Sequence, residues 1–397
     1  MLTAFSEGGP FERGAILGSN AKKAIRFNLE EFWSHSHLIG LSRTIAFNNF
    51  KNVQSRFDED SIERMKGIAY GSNVDFRDIA CFNTWKNLLS PDECTVLIAM
   101  GDSTANHSTC VLKNSDKVGS EKLVGQNYYK NKEINIVVYE KPDNGNRYIA
   151  VAAAGENSIK IGMNDKGIVT ASNIARTKEL RAKHVDITQV RALDRGWLMK
   201  EGIVHCSTAE QASQMVLGKL VQSPMATPGN LEFVDDKAAF IVEGSYDRYA
   251  VQKITSGVAA RSNKFQVLED LNDPEDISSY ARYVRCCQLL EKNKGKITPE
   301  MMVEFSQDHA NGPGMNSICR HSLDFNDETS LAAAVMEINS SDPAKSTFHV
   351  TLGKPCHAWK AKEAHVLVRL NDSEGALPQR FKSGEVWKQY YNEQPQM

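Results

Sequence analysis

Cys94 stands at a switch in the chain: the residues before it read as helices, and the run Thr95-Val96-Leu97-Ile98-Ala99-Met100 after it reads as a strand. A cysteine at a strand start is ordinarily a packing residue. It acquires chemistry if the chain cuts its own Glu93–Cys94 bond, because a thiol and a new α-amine then belong to one residue. An α-amine with a reference pKa of about 7.7–8.0 can take the proton of a thiol whose reference value is about 8.5, so nucleophile and base arrive together. The maturation step is attack of the Cys94 thiol on the Glu93 carbonyl, giving a thioester that water opens to free the amine. A conventional cysteine nucleophile needs a histidine base instead, and the ten histidines carry no local signature that nominates one. His107 falls in a polar loop, and His309, His321 and His349 read as solvent-facing or satisfied rings.

The elements that must hold this residue follow from periodicity. Residues 12 to 90 read as helices, first over Arg13 to His35, then from Asp60-Ser61-Ile62-Glu63 through Ile68, then from Asp75 through Trp85 to before Pro91. From Cys94 to about Asn173 the pattern is short apolar runs with turn residues between them. One hairpin joins Ile134–Tyr139 to Tyr148–Val151 through Asp143-Asn144-Gly145-Asn146, and a second joins Ile159–Met163 to Ile168–Ala171. Helical spacing returns over 185–221, where Ser207-Thr208-Ala209-Glu210 reads as a capping box. Strands follow at Leu231–Val234 and Ala238–Glu243, helices at about 277–292 and 299–308, and strands at Leu331–Ile338 and Thr347–Leu352. Pairs of strands alternating with pairs of helices, without a βαβ rhythm, predict an α+β fold: a four-layer αββα sandwich of two antiparallel sheets flanked by helices. The alternative is an ordinary α+β domain with one sheet.

With 397 residues, 41% of them hydrophobic, the chain can bury a large core. Lys+Arg of 47 against Asp+Glu of 49 gives a net charge of -2, which supplies no basic footprint for nucleic acid and no polybasic patch for a membrane. The first residues lack a signal-peptide pattern, no apolar run nears the roughly 18 residues of a membrane span, and the ending Glu393–Met397 is not peroxisomal. The expectation is a cytoplasmic protein acting on a small molecule. None of the eight cysteines falls in C-x-x-C spacing, so most of them read as reduced core residues, the Cys286-Cys287 pair included. No H-E-x-x-H and no G-x-x-x-x-G-K-[ST] occurs, and no metal and no cofactor is expected.

Seven segments in order carry a family likeness: Gly9-Pro10-Phe11-Glu12-Arg13-Gly14, Met65–Gly71, Asp92-Glu93-Cys94-Thr95, Gly125-Gln126-Asn127, Gly162–Ile168, Arg261-Ser262-Asn263 and Ser317-Ile318-Cys319-Arg320-His321. The chain resembles the acyl-coenzyme A:6-aminopenicillanate acyltransferase (isopenicillin N acyltransferase) family of self-processing Ntn hydrolases. The resemblance implies an Ntn-hydrolase sandwich and an acyltransferase or amidohydrolase of secondary metabolism. Residues 1–93 would be a helical leader that becomes a small subunit, and residues 94–397 the catalytic subunit, the two staying together as a heterodimer within one structural domain. Acyl-coenzyme A is then a possible substrate rather than a cofactor.

Residue by residue, the resemblance implies that Cys94 is both the autoprocessing and the acyl-accepting nucleophile. Asn263 would give a side-chain amide to the oxyanion hole, a donor whose loss typically costs about 10²–10³ in rate. Arg320 matches a family arginine near the site, and orienting a substrate carboxylate or forming a structural ion pair are equal readings of it. Thr95 and Asn127 are supporting residues or scaffold. The chain departs from the family at Tyr129, where the pattern has an aspartate near the nucleophile's amine. A phenol with a reference pKa of about 10 supplies no fixed negative charge, although it can still hydrogen-bond. It departs again at Glu93, where the penicillin enzyme has glycine. Two alternatives follow: a plain hydrolase of N-acyl amino acids or small peptide conjugates, and an uncleaved, inactive relative acting as a binding protein.

Overall fold

An apolar run as unbroken as that following Cys94 belongs to a strand covered on both faces. The computed structural model, which describes residues 2–89, 93–118, 122–124, 127–129, 133–182, 194–321, 328–361 and 364–372, places it so. The chain opens with β1 (Thr3–Gly8) and five helices: α1 (Pro10–Asn20), α2 (Lys22–Leu38), α3 (Arg43–Val53), α4 (Glu59–Ser72) and α5 (Phe76–Leu89). Next come β2 (Glu93–Met100), β3 (Thr109–Val118), β4 (Lys122–Val124), β5 (Asn127–Tyr129), β6 (Asn135–Pro142), β7 (Tyr148–Ala153), β8 (Ile161–Asn164) and β9 (Val169–Ile174). Helices α6 (Lys178–Ala182), α7 (Arg195–His205) and α8 (Ala209–Gln222) lead to β10 (Gly229–Val234), β11 (Ala239–Gly244), β12 (Tyr249–Ile254) and β13 (Gly257–Arg261). The remainder is α9 (Ile277–Lys292), α10 (Pro299–Ser306), β14 (Glu328–Ile338), β15 (Thr347–Leu352), α11 (Pro355–Ala358) and β16 (His365–Arg369).

The strands form an eight-stranded sheet, β1-β6-β7-β8-β9-β10-β11-β12, and a six-stranded sheet, β13-β2-β3-β14-β15-β16. Val96, Ile98 and Val111 of the smaller sheet share one apolar layer with Val137, Ile149 and Val169 of the larger. On the far side of the larger sheet, Ile25, Phe82 and Trp197 pack with Ile136, Ala150 and Phe233. Beyond the smaller sheet, Cys286, Leu289 and Met302 of α9 and α10 cover Leu97 and Leu112. The result is the four-layer αββα order that the element pattern predicts, in an α+β fold.

Three features differ from the sequence expectation. The leader contains a strand as well as helices, and β1 lies parallel to β6, so the larger sheet is mixed at that edge. Its six residues carry only a short alternation, which periodicity resolves poorly. Strands β12, β13 and β16 were not evident in the pattern: β12 mixes exposed and half-buried positions, β13 runs from half-buried to buried without alternating, and β16 has only five residues. The cap of α8 is Thr208, whose Oγ1 accepts from the N–H of Gln211, and it is Gln211 rather than Glu210 that reaches back, to the N–H of Ser207. Of the helical stretch expected over 185–221, residues 185–193 lie outside the described part of the chain.

The leader is riveted to the larger sheet. Helices α1 and α4 touch backbone to backbone through Gly14, Gly18, Gly67 and Gly71; a Cβ on Gly67 would sit 2.1 Å from the Phe11 carbonyl oxygen, and one on Gly14 2.2 Å from that of Arg64. That approach lets Arg13 and Arg64 converge on Glu140 of β6, with Arg13 Nη1 2.9 Å from Oε2 and Arg64 bound to Oε1. Burial pushes the Glu140 carboxyl up, but the guanidiniums of Arg64 and Arg13 outweigh it and hold it down at about 2.

Candidate active site

Side chains alternate across a strand, and this decides what surrounds the Glu93–Cys94 bond. In β2, Val96, Ile98 and Met100 face the space between the sheets, whereas Leu97 and Ala99 face α9 and α10. Cys94 therefore shares the inter-sheet face, and Glu93 and Thr95 share the face under α9. Across the ladder Cys94 pairs with Ser115 and Glu93 with Asp116, so both strands sort their chemistry the same way.

On the inter-sheet side, Cys94 is buried and lines a cleft with Lys113, Glu156, Lys160, Ser172 and Arg195. The Lys113 ammonium donates to the Lys160 carbonyl at 2.5 Å. Glu232 of β10 is enclosed in the same interior; burial raises its carboxyl to about 7, against the pull of Lys113 and Arg261. A thiol here meets a polar, cation-bearing wall at the mouth of an otherwise apolar layer.

On the helix side, Glu93 is held by three arginines. Arg320 Nη1 donates to Glu93 Oε2 at 2.6 Å, Arg176 bonds Oε1, and Arg282 Nη2 lies 3.7 Å from Oε2. Burial would raise the Glu93 carboxyl, but Arg320, Arg176 and Arg282 outweigh it and hold it at about 2. Two further carboxylates join the group. Arg320 Nη2 and Arg176 Nη2 each lie 3.1 Å from Glu328, and Arg320 Nη1 is 3.6 Å from Asp116, which also accepts from Ser330 Oγ at 2.6 Å. Burial and the charge of Glu93 push Glu328 up to about 7.

Arg282 ties this group to the Cys94 backbone. It is fully buried on α9, and its Nη1 donates to the Cys94 carbonyl at 3.2 Å and to Thr95 Oγ1 at 3.0 Å, while Nη2 donates to Asn263 Oδ1 at 2.7 Å. Asn263 in turn donates its Nδ2 to the Ile174 carbonyl at 2.9 Å, and its own carbonyl accepts from the N–H of Arg176 at 2.7 Å. The Asn263 segment thus bridges the end of β9 on one sheet and β13 on the other.

Of the sequence-nominated residues, Glu93, Cys94, Thr95, Asn263 and Arg320 gather around one junction through direct bonds or the shared Arg282. In the uncut chain Arg320 commits its terminal nitrogens to Glu93 and Glu328, so a substrate carboxylate reaches it only by displacing one of them. Asn127 and Tyr129 fall on β5, which pairs with β4 rather than with either large sheet, and their side chains lie outside the described residues. Arg176 and Arg282 were missed. For Arg282 the signal was present, since it occupies the apolar stripe that continues through Cys286 and Leu289 on α9, where a bare cation has no business without partners. Glu156 and Arg195 gave no such signal.

No protein-family profile and no curated protein sequence matches the chain. Among solved structures it is similar to a Caenorhabditis elegans N-acylethanolamine-hydrolyzing acid amidase ortholog, at 12% identity and a TM-score of 0.40 over 61% of this chain and 92% of that one. It is also similar to penicillin V acylase from Agrobacterium tumefaciens, at 14% identity and a TM-score of 0.37 over 65% of this chain and 83% of that one. A third similar structure is a conjugated bile acid hydrolase from Clostridium perfringens, at 10% identity and a TM-score of 0.40 over 70% of this chain and 93% of that one.

Proposed function

We propose that the chain cuts its own Glu93–Cys94 bond and then works, through Cys94 as an amino-terminal nucleophile, as an Ntn-type amidohydrolase or acyltransferase on a small amide or thioester. The observation that carries this is the arrangement at the junction: a buried cysteine opens a central strand beside a cleft, and the acyl side of the bond before it is fixed by three guanidiniums on Glu93. Holding the Glu93 side chain restricts the motion of the residue whose carbonyl carbon the adjacent Cys94 thiol has to reach, which favours an intramolecular attack.

In the first step Cys94 Sγ bonds the Glu93 carbonyl carbon, the Glu93–Cys94 C–N bond breaks, and the thiol proton passes to the leaving amine. Water then hydrolyses the thioester, leaving a carboxylate on Glu93 and a free amine on Cys94. With substrate, that amine takes the thiol proton, Sγ attacks the acyl carbon, and the leaving amine or thiol departs protonated. The acyl thioester passes to water in a hydrolase or to an amine in a transferase. Asn263 is the side-chain donor to the oxyanion through the Nδ2 hydrogen that the Ile174 carbonyl does not take, with Arg282 holding its Oδ1. Residues 1–93 and 94–397 then form a heterodimer held by the Arg13–Glu140–Arg64 contacts.

Intact-mass measurement of freshly purified protein tests the first half: fragments ending at Glu93 and beginning at Cys94 are expected, and Cys94→Ala is expected to remain whole. A single uncut species after long incubation, with Cys94 unreactive, would make the chain a binding protein instead. Product analysis on N-acyl amino acids and acyl thioesters, with and without an added amine, separates hydrolase from transferase.

A further inference from the structure

The segment that delivers Arg320 to Glu93 delivers its two neighbours somewhere else. Cys319 and His321 flank Arg320 and turn away from the carboxylates toward His309, just beyond α10, and Cys356 in α11. His309 Nε2 lies 3.1 Å from His321 Nε2, and that same His321 nitrogen is 3.3 Å from Cys356 Sγ and 3.9 Å from Cys319 Sγ. All four donor atoms lie within 4.8 Å of one another.

Hydrogen bonds such as those of Cys356 to Cys319 and to His321 account for only part of this convergence. A ring nitrogen of imidazole has one proton or one lone pair, so the His321 nitrogen serves one of the three atoms around it, and its contacts with the other two go unused even where Cys319 and Cys356 bond each other. A cation at the centre satisfies all four at once. With Zn–S near 2.3 Å and Zn–N near 2.0–2.1 Å, a regular tetrahedron has N···N edges of about 3.3–3.4 Å and N···S edges of about 3.5–3.6 Å. The N···S distances of 3.3 and 3.9 Å fall on either side of their edge, and the N···N distance of 3.1 Å is slightly shorter than its own.

We propose that His309, Cys319, His321 and Cys356 form a closed Cys2His2 site for a zinc ion. The donor set contains two thiol sulfurs and two imidazole nitrogens and no carboxylate, a set suited to zinc and not to magnesium or calcium. The nearby Asp308 carboxylate is taken by Arg285, with contacts of 2.6 to 3.1 Å. Four protein ligands leave no open position, so the ion is structural. Cys319 is fully buried and Cys356 is 9% exposed, while both histidines are half-buried. The spacing, His309 then Cys319, His321 and Cys356, lacks any C-x-x-C pair, which is why the sequence motif search finds no metal site.

The site has a consequence for the bond before Cys94. With Cys319 and His321 both tied to the ion, Arg320 between them is held on the opposite side of the loop, against Glu93, Glu328 and Asp116. The ion is then a positioning element for Arg320; this last step rests on the proposed self-cleavage, whereas the site itself does not.

Elemental analysis of the full chain, purified after growth with zinc and passed through a mild chelator, is expected to give one zinc ion per chain. Replacement by cobalt is expected to give thiolate-to-cobalt charge-transfer absorption with the d–d bands of a tetrahedral centre. Cys356→Ser is expected to lose stoichiometric metal, and Cys287→Ser, a half-buried cysteine outside the cluster, to keep it. Should Cys356→Ser fail to fold, the zinc content and cobalt spectrum of the unaltered protein decide alone. Metal-free protein whose Cys319 and Cys356 alkylate as fast as Cys287 in the native fold, or a Cys319–Cys356 disulfide found in a non-reducing digest, overturns the proposal. Zinc present at full stoichiometry with an unchanged rate of self-cleavage after its removal overturns only the positioning of Arg320.

Discussion

Two buried groups of arginines and carboxylates lie on opposite sheets, and they are built differently. At Glu140 two guanidiniums, each carried on a helix of a tightly packed pair, meet one carboxylate. At Glu93 three guanidiniums from a loop, a helix and a second loop meet three carboxylates. In the first group positive charge is in excess and Glu140 is held ionised at about 2. In the second the carboxylates crowd one another: Glu93 is held at about 2 while Glu328 rises to about 7 and Asp116 also rises, so one acid is kept ionised at the expense of the others. A surplus of cations makes a fixed rivet. A balanced and crowded group can redistribute charge when one member moves, and it is this kind that surrounds the bond proposed to break.

The largest expected effect comes from removing the one carboxylate that Arg13 and Arg64 share among the described residues. Glu140→Ala leaves Arg13 and Arg64 buried without a counter-charge and is expected to cost about 3–5 kcal/mol, read by denaturant or thermal unfolding. Arg320→Ala is the matching test at the other group, and its cost is expected to be smaller because Arg176 and Arg282 remain on Glu93. Equal losses in the two variants would erase the distinction. Next in size is Gly67→Ala, which drives a methyl group into the Phe11 carbonyl and is expected to cost about 1–3 kcal/mol. Gly218→Ala on α8 is the control, since nothing lies within 4 Å of the added carbon. It should be neutral or stabilising by about 0.4–1 kcal/mol. A Gly67→Ala protein as stable as the control would mean that the α1–α4 approach does not set the clamp.

The pH response separates the groups further. The folded pKa of Glu140 lies below its unfolded value near 4.3, so its stabilisation is complete above that pH and fades as pH falls toward 2. Glu93 behaves the same way. Glu328 has the opposite sign: its folded value of about 7 lies above the unfolded one, so its contribution is complete below about 4.3 and is lost as pH rises through 7. Between those limits Glu328 should lower stability by at most about 1.4 kcal/mol per pH unit. Unfolding midpoints from pH 5 to 8 are therefore expected to vary less with pH in Glu328→Gln than in the unaltered protein. An unchanged slope would show that Glu328 does not carry the strain of the group.

Much of this architecture was legible in residue order. The four layers follow from helices and hairpins of opposite periodicity, and β2 announced itself because strands covered on both faces carry unbroken apolar runs. Cys94 could be singled out because it sits where one period gives way to another. Short edge strands such as β1 and β16 could not, because five or six residues hold too few alternations to stand above chance. The charged groups were hidden for another reason. Arg13, Arg64 and Glu140 are separated by 76 residues or more across the pairs that meet, and Arg320 and Glu93 by 227, so only the fold makes them neighbours. The four metal donors were concealed in the same manner, by a span from His309 to Cys356 with no paired cysteines in it.

The smallest expected effect is at Arg176, and it sharpens the comparison most. Its side chain is 39% exposed although it touches both Glu93 and Glu328, so water screens it in a way that it does not screen Arg282 or Arg320. Pairs of that exposure contribute about 0.2–1 kcal/mol, and Arg176→Ala should lower the unfolding free energy by no more than that. Its effect on the junction should be larger in proportion, because Arg176 alone of the three holds Oε1 of Glu93 while Arg320 and Arg282 hold Oε2. Loss of one oxygen's partner lets the carboxylate pivot about the other and carries the Glu93 carbonyl away from the thiol. The time course of the fragment beginning at Cys94, followed by mass spectrometry beside a melting curve, distinguishes the two quantities. Slower scission at nearly unchanged stability is the expected outcome, and an unaffected rate would assign Arg176 to the surface of the group instead of to its work.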